Sequence, residues 1–569
     1  MRLNEPPKEK GGRTAMAKSS TENSEKQEKS GGKPSSASRS RKNSGEEGLQ
    51  GMKKRLARTG KSFFSAGRGE AARGKKKRSA REERERKAAA REKTDKNILK
   101  ITYAFAALFI GMCVYFGWFL QFDSENVINS SYNARLDRFS DRIVRGKILS
   151  NDGRVLAETQ VAEDGSEKRY YPYNYLFVHS VGYSGKNGKT GIESLANFYL
   201  LSSHVNLLER TVNEIQGRKN IGDNVVTTLD VDLQQTASDA MGNRRGAVIA
   251  MEPDTGKILA MVSQPNFNAN TVDEQWAELT SPENTKAQLV NRATQGLYPP
   301  GSTFKILTAL EYLHENPNGR NDFHFDCDGT FEDGDYQIRC YHGEAHGSQD
   351  FTGVFANSCN GAFSSMGLGL NLTQFRSLAE QFLFNRELPL SIPYNKSSFV
   401  MAEGADEWER LQTSIGQGKT QMTPMHNLMI TAAIANGGTL MKPYLIDHVE
   451  NAGGQTVKKF MPSAYGGLMS GEDAAVLTEL MTAVVTDGTG SALRGAPYTA
   501  AGKTGSAEFE TGKETHAWFT GFAPVENPKL VVTVLVEEGG ERLRRFQGRT
   551  CGEGCDGQIF REISPVAHG

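Results

Sequence analysis

The chain has 569 residues, with 68 Lys and Arg against 67 Asp and Glu, so its formal net charge is only +1. That length exceeds one typical domain and excludes a single small module. The neutral total hides a division: residues 1–100 hold 30 basic and 13 acidic residues, whereas the rest holds 38 basic and 54 acidic residues. We therefore expect the two parts to occupy different environments.

Residues 1–96 are rich in Lys, Arg, Glu, Ser and Gly and poor in apolar residues. Such a segment buries too little surface to fold alone, which predicts a disordered basic cytoplasmic tail. Arg81–Lys93 has the composition of a charged helix running toward a membrane. The basic run at residues 75–78 could bind anionic lipid head groups or nucleic acid, or could be a solvated topogenic segment. We favour the last and expect no nucleic-acid partner.

An uncharged apolar run, Ile101–Phe122, follows the tail. At a rise of 1.5 Å per residue its length is roughly 33 Å, enough to cross a hydrocarbon core of roughly 30 Å. Lysines precede the run, and Asp123 and Glu125 follow it. The positive-inside rule then predicts a single-pass transmembrane helix over residues 97–122, with everything after it extracellular or periplasmic. A cleaved signal peptide is the alternative, but the run is long and no Ala-x-Ala site follows it.

Two further regions follow the predicted span. Residues 123–225 are predicted as a small mixed domain, with a hairpin around the Asn-Asp-Gly turn at residues 151–153 and a helix opening at residues 191–193. From about Val225 the pattern changes, and we expect a larger domain over residues 226–569.

The larger region begins and ends with strand signals. Ala247–Met251 and Ile258–Val262 predict a hairpin, and helical patterns dominate from residue 291 to residue 378. Strands return at 516–521 and at Leu530–Val536, a run that is apolar on both faces, as a central strand should be. The order predicts an α+β fold, with an antiparallel sheet packed against helices.

The first candidate motif is Ser302-Thr303-Phe304-Lys305, which follows two prolines and a glycine and opens an apolar helix. The helix dipole near Ser302 favours developing negative charge. Lys305 lies three residues later, so its amine is expected on the same face as the hydroxyl. A serine needs a nearby base to become a nucleophile, and a desolvated lysine can serve as that base.

Two shorter motifs supply further polar groups. In Ser358-Cys359-Asn360, the hydroxyl could relay a proton to a leaving amine and the carboxamide could hold both a substrate amide and Lys305. In Lys503-Thr504-Gly505-Ser506, the lysine supplies positive charge and the threonine a hydroxyl for a carboxylate, while the glycine permits close approach of a substrate backbone. The backbone N–H groups of Ser302 and Ser506 would form an oxyanion hole.

Each of these motifs has chance matches elsewhere, among them Lys189-Thr190-Gly191. Taken separately, each residue has a structural alternative: Ser302 as a helix cap, Asn360 as a turn residue, and Lys503 as an edge-strand charge. Only the path through residues 302, 358 and 503 runs from a helix start, through a middle motif, to a strand within a sheet-forming C-terminal region.

Together with their flanks, these motifs resemble the class B penicillin-binding proteins over about residues 141–536. The segments that carry the likeness are Arg145-Gly146-Lys147-Ile148, Gly191-Ile192-Glu193, Thr228-Leu229-Asp230 with Leu233-Gln234, GAVIAMEPDTGKILAMVSQPNFN, SIGQGKTQMTPMHNLMITAAIANGG, DGTGSAL and HAWFTGFAP. The resemblance implies a pedestal, or dimerisation-like, domain over residues 123–225 and a transpeptidase domain over residues 226–569.

The resemblance also implies an activity. Ser302 would attack a peptidoglycan stem peptide, release D-Ala and pass the acyl group to an amine of a neighbouring stem. β-Lactams would acylate the same serine, and the reaction needs no cofactor. Only about 100 residues separate the predicted membrane span from the transpeptidase pattern, so a separate glycosyltransferase, of the SEDS family, is the expected partner.

Two rival activities stay open at this point. A D,D-carboxypeptidase would pass the acyl group to water and carry the same motifs. A non-enzymatic β-lactam-sensing receptor or scaffold would need a cytoplasmic effector domain, for which the tail has no apolar periodicity.

Cysteines form a further constellation. Cys327 and Cys340 flank a short loop, and we favour a disulfide between them because disulfides persist outside the membrane. The alternative is a structural zinc ion bound by Cys327, Cys340 and His346. Cys359 is expected to be a small buried filler, and Cys551 and Cys555 are candidates for a terminal pair. His516 and Trp518 either line the cleft or pack in the core.

Overall fold

The structure is a computed structural model that describes residues 69–122, 141–401, 404–508 and 514–539. The predicted pair of Cys551 and Cys555 lies outside these ranges. Two compact units divide the chain at Ala104. The sheets among the described residues and the three candidate motifs belong to the second unit.

A long helix, α1 (Gly69–Phe122), includes the predicted membrane span. It is long and apolar enough to cross a membrane, and apolar side chains such as Phe105 and Trp118 are exposed along it. Residues 69–96 are thus helical, and this stretch includes the charged helix predicted over Arg81–Lys93. Ion pairs at i,i+4 spacing stabilise a helix of this kind; they are Arg81–Glu85, Glu83–Lys87 and Glu92–Lys96.

The other helices lie between residues 191 and 486. They are α2 (Gly191–Leu195), α3 (Asn197–Leu200), α4 (Leu207–Ile215), α5 (Val231–Met241), α6 (Val272–Leu279), α7 (Lys305–Glu315), α8 (Gly319–Asp322), α9 (Phe351–Ala356), α10 (Asn360–Gly369), α11 (Leu372–Gln381), α12 (Glu407–Ser414), α13 (Pro424–Ala435) and α14 (Gly471–Thr486).

The strands are spread over the same unit. They are β1 (Ile143–Val144), β2 (Ile148–Leu149), β3 (Val155–Val161), β4 (Glu167–Tyr170), β5 (Ser184–Gly185), β6 (Gly188–Lys189), β7 (Asn220–Ile221), β8 (Asn224–Thr227), β9 (Gly246–Met251), β10 (Ile258–Gln264), β11 (His324–Cys327), β12 (Thr330–Asp333), β13 (Tyr336–Arg339), β14 (Gly347–Asp350), β15 (Thr439–Met441), β16 (Ile446–Glu450), β17 (Thr456–Lys459), β18 (Ala464–Gly467), β19 (Ala501–Ala507), β20 (His516–Ala523) and β21 (Leu530–Val536).

A six-stranded sheet with the order β17-β16-β8-β2-β3-β4 forms the N-terminal side of this unit. The predicted hairpin around residues 151–153 is present as the antiparallel pair β2–β3. Strand β8 spans the predicted boundary at residue 225, and β16 and β17 come from much later in the chain. The sheet therefore joins the predicted pedestal to the segment that follows it.

A buried ion-pair network around Glu193 holds helix α2 in place. The Glu193 side chain is fully buried and accepts hydrogen bonds from Arg145 Nε and Arg169 Nε, each at 2.7 Å. Tyr171 donates its hydroxyl to the same carboxylate at 3.2 Å. Burial favours the protonated carboxyl, but the two arginines prevail and lower the pKa of Glu193 from its ordinary value.

The second sheet is five-stranded and antiparallel, with the order β10-β9-β21-β20-β19. Strand β21 is central and fully buried, as its apolar sequence predicts. Val531 and Val532 belong to different hydrophobic clusters, so the strand buries both faces. Helix α13 packs on one face and α5 on the other. The predicted α+β fold, with a central antiparallel sheet flanked by helices, is confirmed.

One part of the expected helical region is not helical. Between α8 and α9 the chain forms β11–β14 as two small two-stranded sheets. The sequence carried a signal for this: Gly334-Asp335 is the two-residue turn of a hairpin in which Asp333 pairs with Tyr336, and Gly334 has φ +57°. Apolar residues at helical spacing on both sides of the hairpin favoured a helical prediction for the whole region.

Candidate active site

Ser302 lies in a short 3₁₀ turn, Gly301–Phe304, that leads directly into α7. Pro299 and Pro300 precede the turn, and Gly301 has φ +54°. A Cβ at Gly301 would lie 2.6 Å from the carbonyl oxygen of Ser506, so only glycine lets the turn approach β19 this closely. The sharp turn at the head of an apolar helix is as expected.

Two side chains and one backbone hydrogen bond from outside the motifs fix this turn. Trp518 is fully buried and donates its indole N–H to the carbonyl oxygen of Pro299 at 3.0 Å. Asn427 of α13 donates to the hydroxyl of Thr303 at 3.3 Å. The backbone N–H of Gly301 donates to the carbonyl of Gly416 at 2.9 Å. Of the two expectations for Trp518, core packing is the one observed.

Lys305 is fully buried at the start of α7 and reaches the middle motif. Its Nζ donates to the carbonyl oxygen of Ser358 and to Asn360 Oδ1, both at 2.7 Å, and lies 3.3 Å from Ser358 Oγ. The Asn360 amide nitrogen in turn donates to the carbonyl of Arg339 at 2.8 Å. The predicted contact between Asn360 and Lys305 is therefore present.

Ser358 joins the two lysines. Lys503 is also fully buried, and its Nζ donates to Ser358 Oγ at 2.9 Å and to the Thr504 carbonyl at 3.1 Å. Ser358 has φ +55°, a left-handed conformation that costs free energy in a non-glycine residue. The strained residue therefore presents its hydroxyl to two lysine amines from different elements.

Strand β19, at the edge of the five-stranded sheet, carries the third motif. Thr504 shares a hydrogen bond of 2.6 Å with Thr489, a residue of the DGTGSAL segment. A Cβ at Gly505 would lie 3.1 Å from Thr303 Cγ2 and 3.2 Å from the Thr303 nitrogen. Gly505 is thus needed for contact between the strand and the turn that carries Ser302, in addition to the expected approach of a substrate.

The three predicted motifs lie together in the fold, whereas the chance match Lys189-Thr190-Gly191 lies elsewhere. Lys189 lies in the small β5–β6 hairpin, beside a cavity that is lined by Tyr199, Ile258 and Tyr444 and contains none of the three motifs. The choice of path through residues 302, 358 and 503 therefore agrees with the packing of the chain.

A buried polar network behind the turn was not anticipated from the sequence. Glu537 accepts hydrogen bonds from Arg292 Nε at 2.8 Å and from the Tyr298 hydroxyl at 2.7 Å. Burial alone would raise the pKa of the Glu537 carboxyl, but Arg292, Tyr298 and Arg245 together lower it. His516 packs edge-on against Tyr298, and burial lowers the pKa of its imidazole. These residues support the segment that precedes Ser302.

The cysteines near the middle motif do not form the expected disulfide. Cys327, Cys340 and Cys359 are free thiols, and the Sγ atoms of Cys327 and Cys340 lie 3.6 Å apart. A disulfide requires about 2.05 Å, so the favoured pairing is wrong. Cys359 is buried as expected, but it faces Cys340 at 3.7 Å rather than only filling space.

Two family models match the chain: "Penicillin binding protein transpeptidase domain" over residues 246–564 and "Penicillin binding protein A dimerisation domain" over residues 145–225. The peptidoglycan D,D-transpeptidase PbpA of Mycolicibacterium smegmatis is 33% identical over 442 residues, covering 73% of this chain and 87% of that protein. The peptidoglycan D,D-transpeptidase MrdA of Acinetobacter baumannii is 29% identical, covering 71% and 70%.

A solved structure agrees with these matches. The imipenem acyl-enzyme complex of penicillin-binding protein A from M. tuberculosis superposes with a TM-score of 0.66 at 30% identity, covering 75% of this chain and all of that one. The chain therefore belongs to the penicillin-binding proteins with a transpeptidase domain, a family whose curated members include peptidoglycan D,D-transpeptidases.

Proposed function

We propose that this protein is a membrane-anchored peptidoglycan D,D-transpeptidase that forms an acyl-enzyme on Ser302. The observation that carries the proposal is the meeting of two buried lysines, Lys305 and Lys503, on the hydroxyl of Ser358. This arrangement adjoins a sharp turn that presents a serine at the head of a buried helix. A nucleophile, a base and a proton relay are thus assembled from three separate elements.

In the acylation step, Lys305 in its neutral form accepts the proton of the Ser302 hydroxyl. Burial and the neighbouring cation Lys503 both favour that neutral form. Ser302 Oγ then bonds to the carbonyl carbon of the penultimate D-Ala of a stem peptide, and the backbone N–H groups of Ser302 and Ser506 stabilise the oxyanion.

Collapse of the tetrahedral intermediate breaks the peptide bond to the terminal D-Ala. Ser358 donates a proton to the leaving amine, and Lys305 returns a proton to Ser358 through their contact. Lys503 and Thr504 bind the terminal carboxylate, while Asn360 orients Lys305 and a substrate amide. An amine from a neighbouring stem then attacks the ester, which forms the cross-link and frees Ser302.

The same geometry makes Ser302 the site of β-lactam acylation. A β-lactam offers a strained amide and a carboxylate in the positions that Ser302 and Lys503 require. The structural relatives support this reading, because penicillin-binding protein A of M. tuberculosis has been solved as acyl-enzymes with imipenem, ceftriaxone and penicillin G.

The proposal extends to topology and partners. The N-terminus is cytoplasmic and the catalytic domain lies on the outer side, because basic residues precede the apolar part of α1. Only about 100 residues separate the apolar part of α1 from the transpeptidase pattern. A separate polymerase of the SEDS family would therefore supply the glycan strands.

An acceptor assay tests the reaction. The protein is incubated with a stem peptide ending in D-Ala-D-Ala and with an amine acceptor, and released D-Ala and cross-linked product are measured. A transpeptidase gives the cross-linked product, and Ser302→Ala gives neither product. Release of D-Ala with hydrolysed peptide alone would identify a D,D-carboxypeptidase instead.

A further inference from the structure

A cavity of about 400 Å³ lies where the region that matches the dimerisation domain meets the region that matches the transpeptidase domain. Small-molecule sites in proteins occupy about 300–1,000 Å³. Helices α2 and α3 line the cavity from the first region, and β10, β16 and the loop at residues 390–393 line it from the second. Among the described residues that line it, none belongs to the three motifs.

The lining is mainly apolar and includes three aromatic rings. The rings are those of Tyr199 in α3, of Tyr444 before β16 and of Phe460 after β17. Aliphatic side chains lie between them, among them Leu195, Leu390 and Leu445. Aromatic and branched side chains around one space suit a flat ring, which they can contact on its faces and at its edge.

Helix α2 gives the cavity an ordered wall. Its residue Glu193 is fully buried and paired with Arg145 and Arg169. Gly191 begins the helix with φ +55°, and a Cβ there would lie 2.6 Å from the carbonyl oxygen of Ser180. Because this wall is already fixed by contacts of its own, a ligand would lose little affinity to the ordering of the site.

A lysine brings positive charge to two of the rings. Lys458 Nζ donates to the Tyr199 hydroxyl at 2.8 Å and lies 4.8 Å from the centre of the Phe460 ring. Desolvation lowers the pKa of Lys458 from its ordinary value. An anion nearby would offset that cost, because it favours the charged ammonium. The part of the cavity near Tyr199 and Phe460 therefore suits an anionic group.

The surroundings of Tyr444 have the opposite character. Burial, with the carboxylates of Asp447 and Glu252 nearby, raises the pKa of Tyr444 to about 12. An anionic group would be repelled there, whereas an uncharged ring would not. The two ends of the cavity thus fix the direction in which an amphipathic ligand would bind.

We propose that this cavity binds a small apolar anion, a molecule with an aromatic ring and one carboxylate or sulfonate. The ring packs among the apolar side chains near Tyr444, and the anionic group lies toward Lys458. Since both matched regions line the cavity, the ligand stabilises their junction. Its binding is separate from the chemistry at Ser302, because the motifs do not line the cavity.

Naphthoate, an aromatic carboxylate, is the probe that tests the site. Equilibrium dialysis against the full-length protein in detergent, with a blank of detergent alone, should reveal a single saturable site per chain. Protein that has first been treated with penicillin should bind naphthoate equally well. Wild-type protein that binds no naphthoate, or that loses the binding after penicillin treatment, would overturn the proposal.

Two adjacent lysines test the charge. Lys458→Gln removes the cation and should weaken naphthoate binding about tenfold, as expected for a contact with a charged group. Lys459→Gln removes the same charge from the same strand, but this side chain is exposed and successive side chains of a strand point to opposite faces. Its affinity should equal that of the wild type. Equal losses in the two variants would refute an anionic ligand.

A bulky substitution tests the location. Leu390→Trp should fill the cavity and abolish binding, whereas Met461→Trp, at a residue that is 70% exposed, should leave it unchanged. Amide hydrogen exchange of the wild-type protein gives a readout that does not depend on the folding of a variant. Naphthoate should slow exchange in α2, α3 and residues 390–393. Protection confined to β19 would place the probe at the motifs and overturn the proposal.

Discussion

At the scale of single residues, the central feature is the pair of buried lysines that share Ser358 Oγ, at 3.3 Å from Lys305 and 2.9 Å from Lys503. Two neighbouring cations each favour the neutral form of the other. Lys503 therefore has two roles in the proposed mechanism: it attracts the substrate carboxylate, and it helps to keep Lys305 able to accept a proton.

We predict that Lys503→Ala slows acylation by a β-lactam at least tenfold, equivalent to about 1.4 kcal/mol in the barrier. Lys503→Arg keeps the charge but changes the hydrogen-bond geometry, so its loss should be partial. Stopped-flow acylation rates measure both effects. Lys189→Ala is the matched control, because it lies in the chance match outside the site; an equal loss there would mean that the path through the motifs is wrong.

Gly505 supports a second prediction at this scale. In Gly505→Ala the new Cβ would press on Thr303 Cγ2 at 3.1 Å and on its nitrogen at 3.2 Å, displacing the turn that carries Ser302. We expect acylation to slow by about tenfold or more, because small misplacements at a reacting centre are costly. Gly369→Ala is the control, since its Cβ would meet nothing within 4 Å. Similar acylation rates in the two variants would contradict the packing argument.

At the scale of elements, Glu193 links α2 to the N-terminal sheet through Arg145 and Arg169. Glu193→Gln leaves two buried arginines without their carboxylate, and removing one partner of a buried ion pair typically costs about 3–5 kcal/mol. Chemical denaturation of the domain measures the loss. Asp232→Asn, which removes an exposed partner of Arg154, should change the transition much less. A small effect of Glu193→Gln would show that the network adds little to stability.

The same network predicts a pH dependence. The pKa of Glu193 is lowered in the folded protein. Its stabilising contribution is therefore fully present above the ordinary glutamate pKa of about 4.3 and is lost as the pH falls through the lower folded value. Denaturation midpoints measured downward from pH 6 should fall more steeply in the wild type than in Glu193→Gln. Parallel curves would argue against this assignment.

The elements also show what the sequence could and could not predict. Strand β21 was predictable as a central strand because six apolar residues in a run of seven leave no face for water. The four motif residues Ser302, Lys305, Ser358 and Lys503 were predictable as one site from their order and flanks. Trp518 and Glu537 were not, because their importance depends on contacts with Pro299 and Tyr298, far away in the chain.

The disulfide prediction was wrong for a different reason. Loop length and compartment favoured a disulfide, but the third thiol, Cys359, becomes relevant only when α10 packs against the β11–β14 sheets. The strands β11–β14 were missed for a related reason. Each is four residues long and contributes few buried side chains, so the periodicity is weak.

At the scale of the whole molecule, the proposed function assigns anchoring and catalysis to different parts of the chain. In the proposed function the tail and the apolar part of α1 serve topology and anchoring, whereas the described motif residues lie between residues 302 and 506. The catalytic unit should not depend on the anchor for its chemistry. A truncated protein that begins at Asp123 should therefore still be acylated by a labelled penicillin at the full-length rate. A soluble, folded truncation that bound no penicillin would contradict this division.

The measurement that tests the central claim most directly is mass spectrometry of the protein after treatment with penicillin. We predict one covalent adduct per chain, mapped by peptide fragmentation to Ser302, and no adduct in a folded Ser302→Ala variant. An adduct on another residue, or one that persisted in Ser302→Ala, would contradict the assignment of Ser302 as the nucleophile.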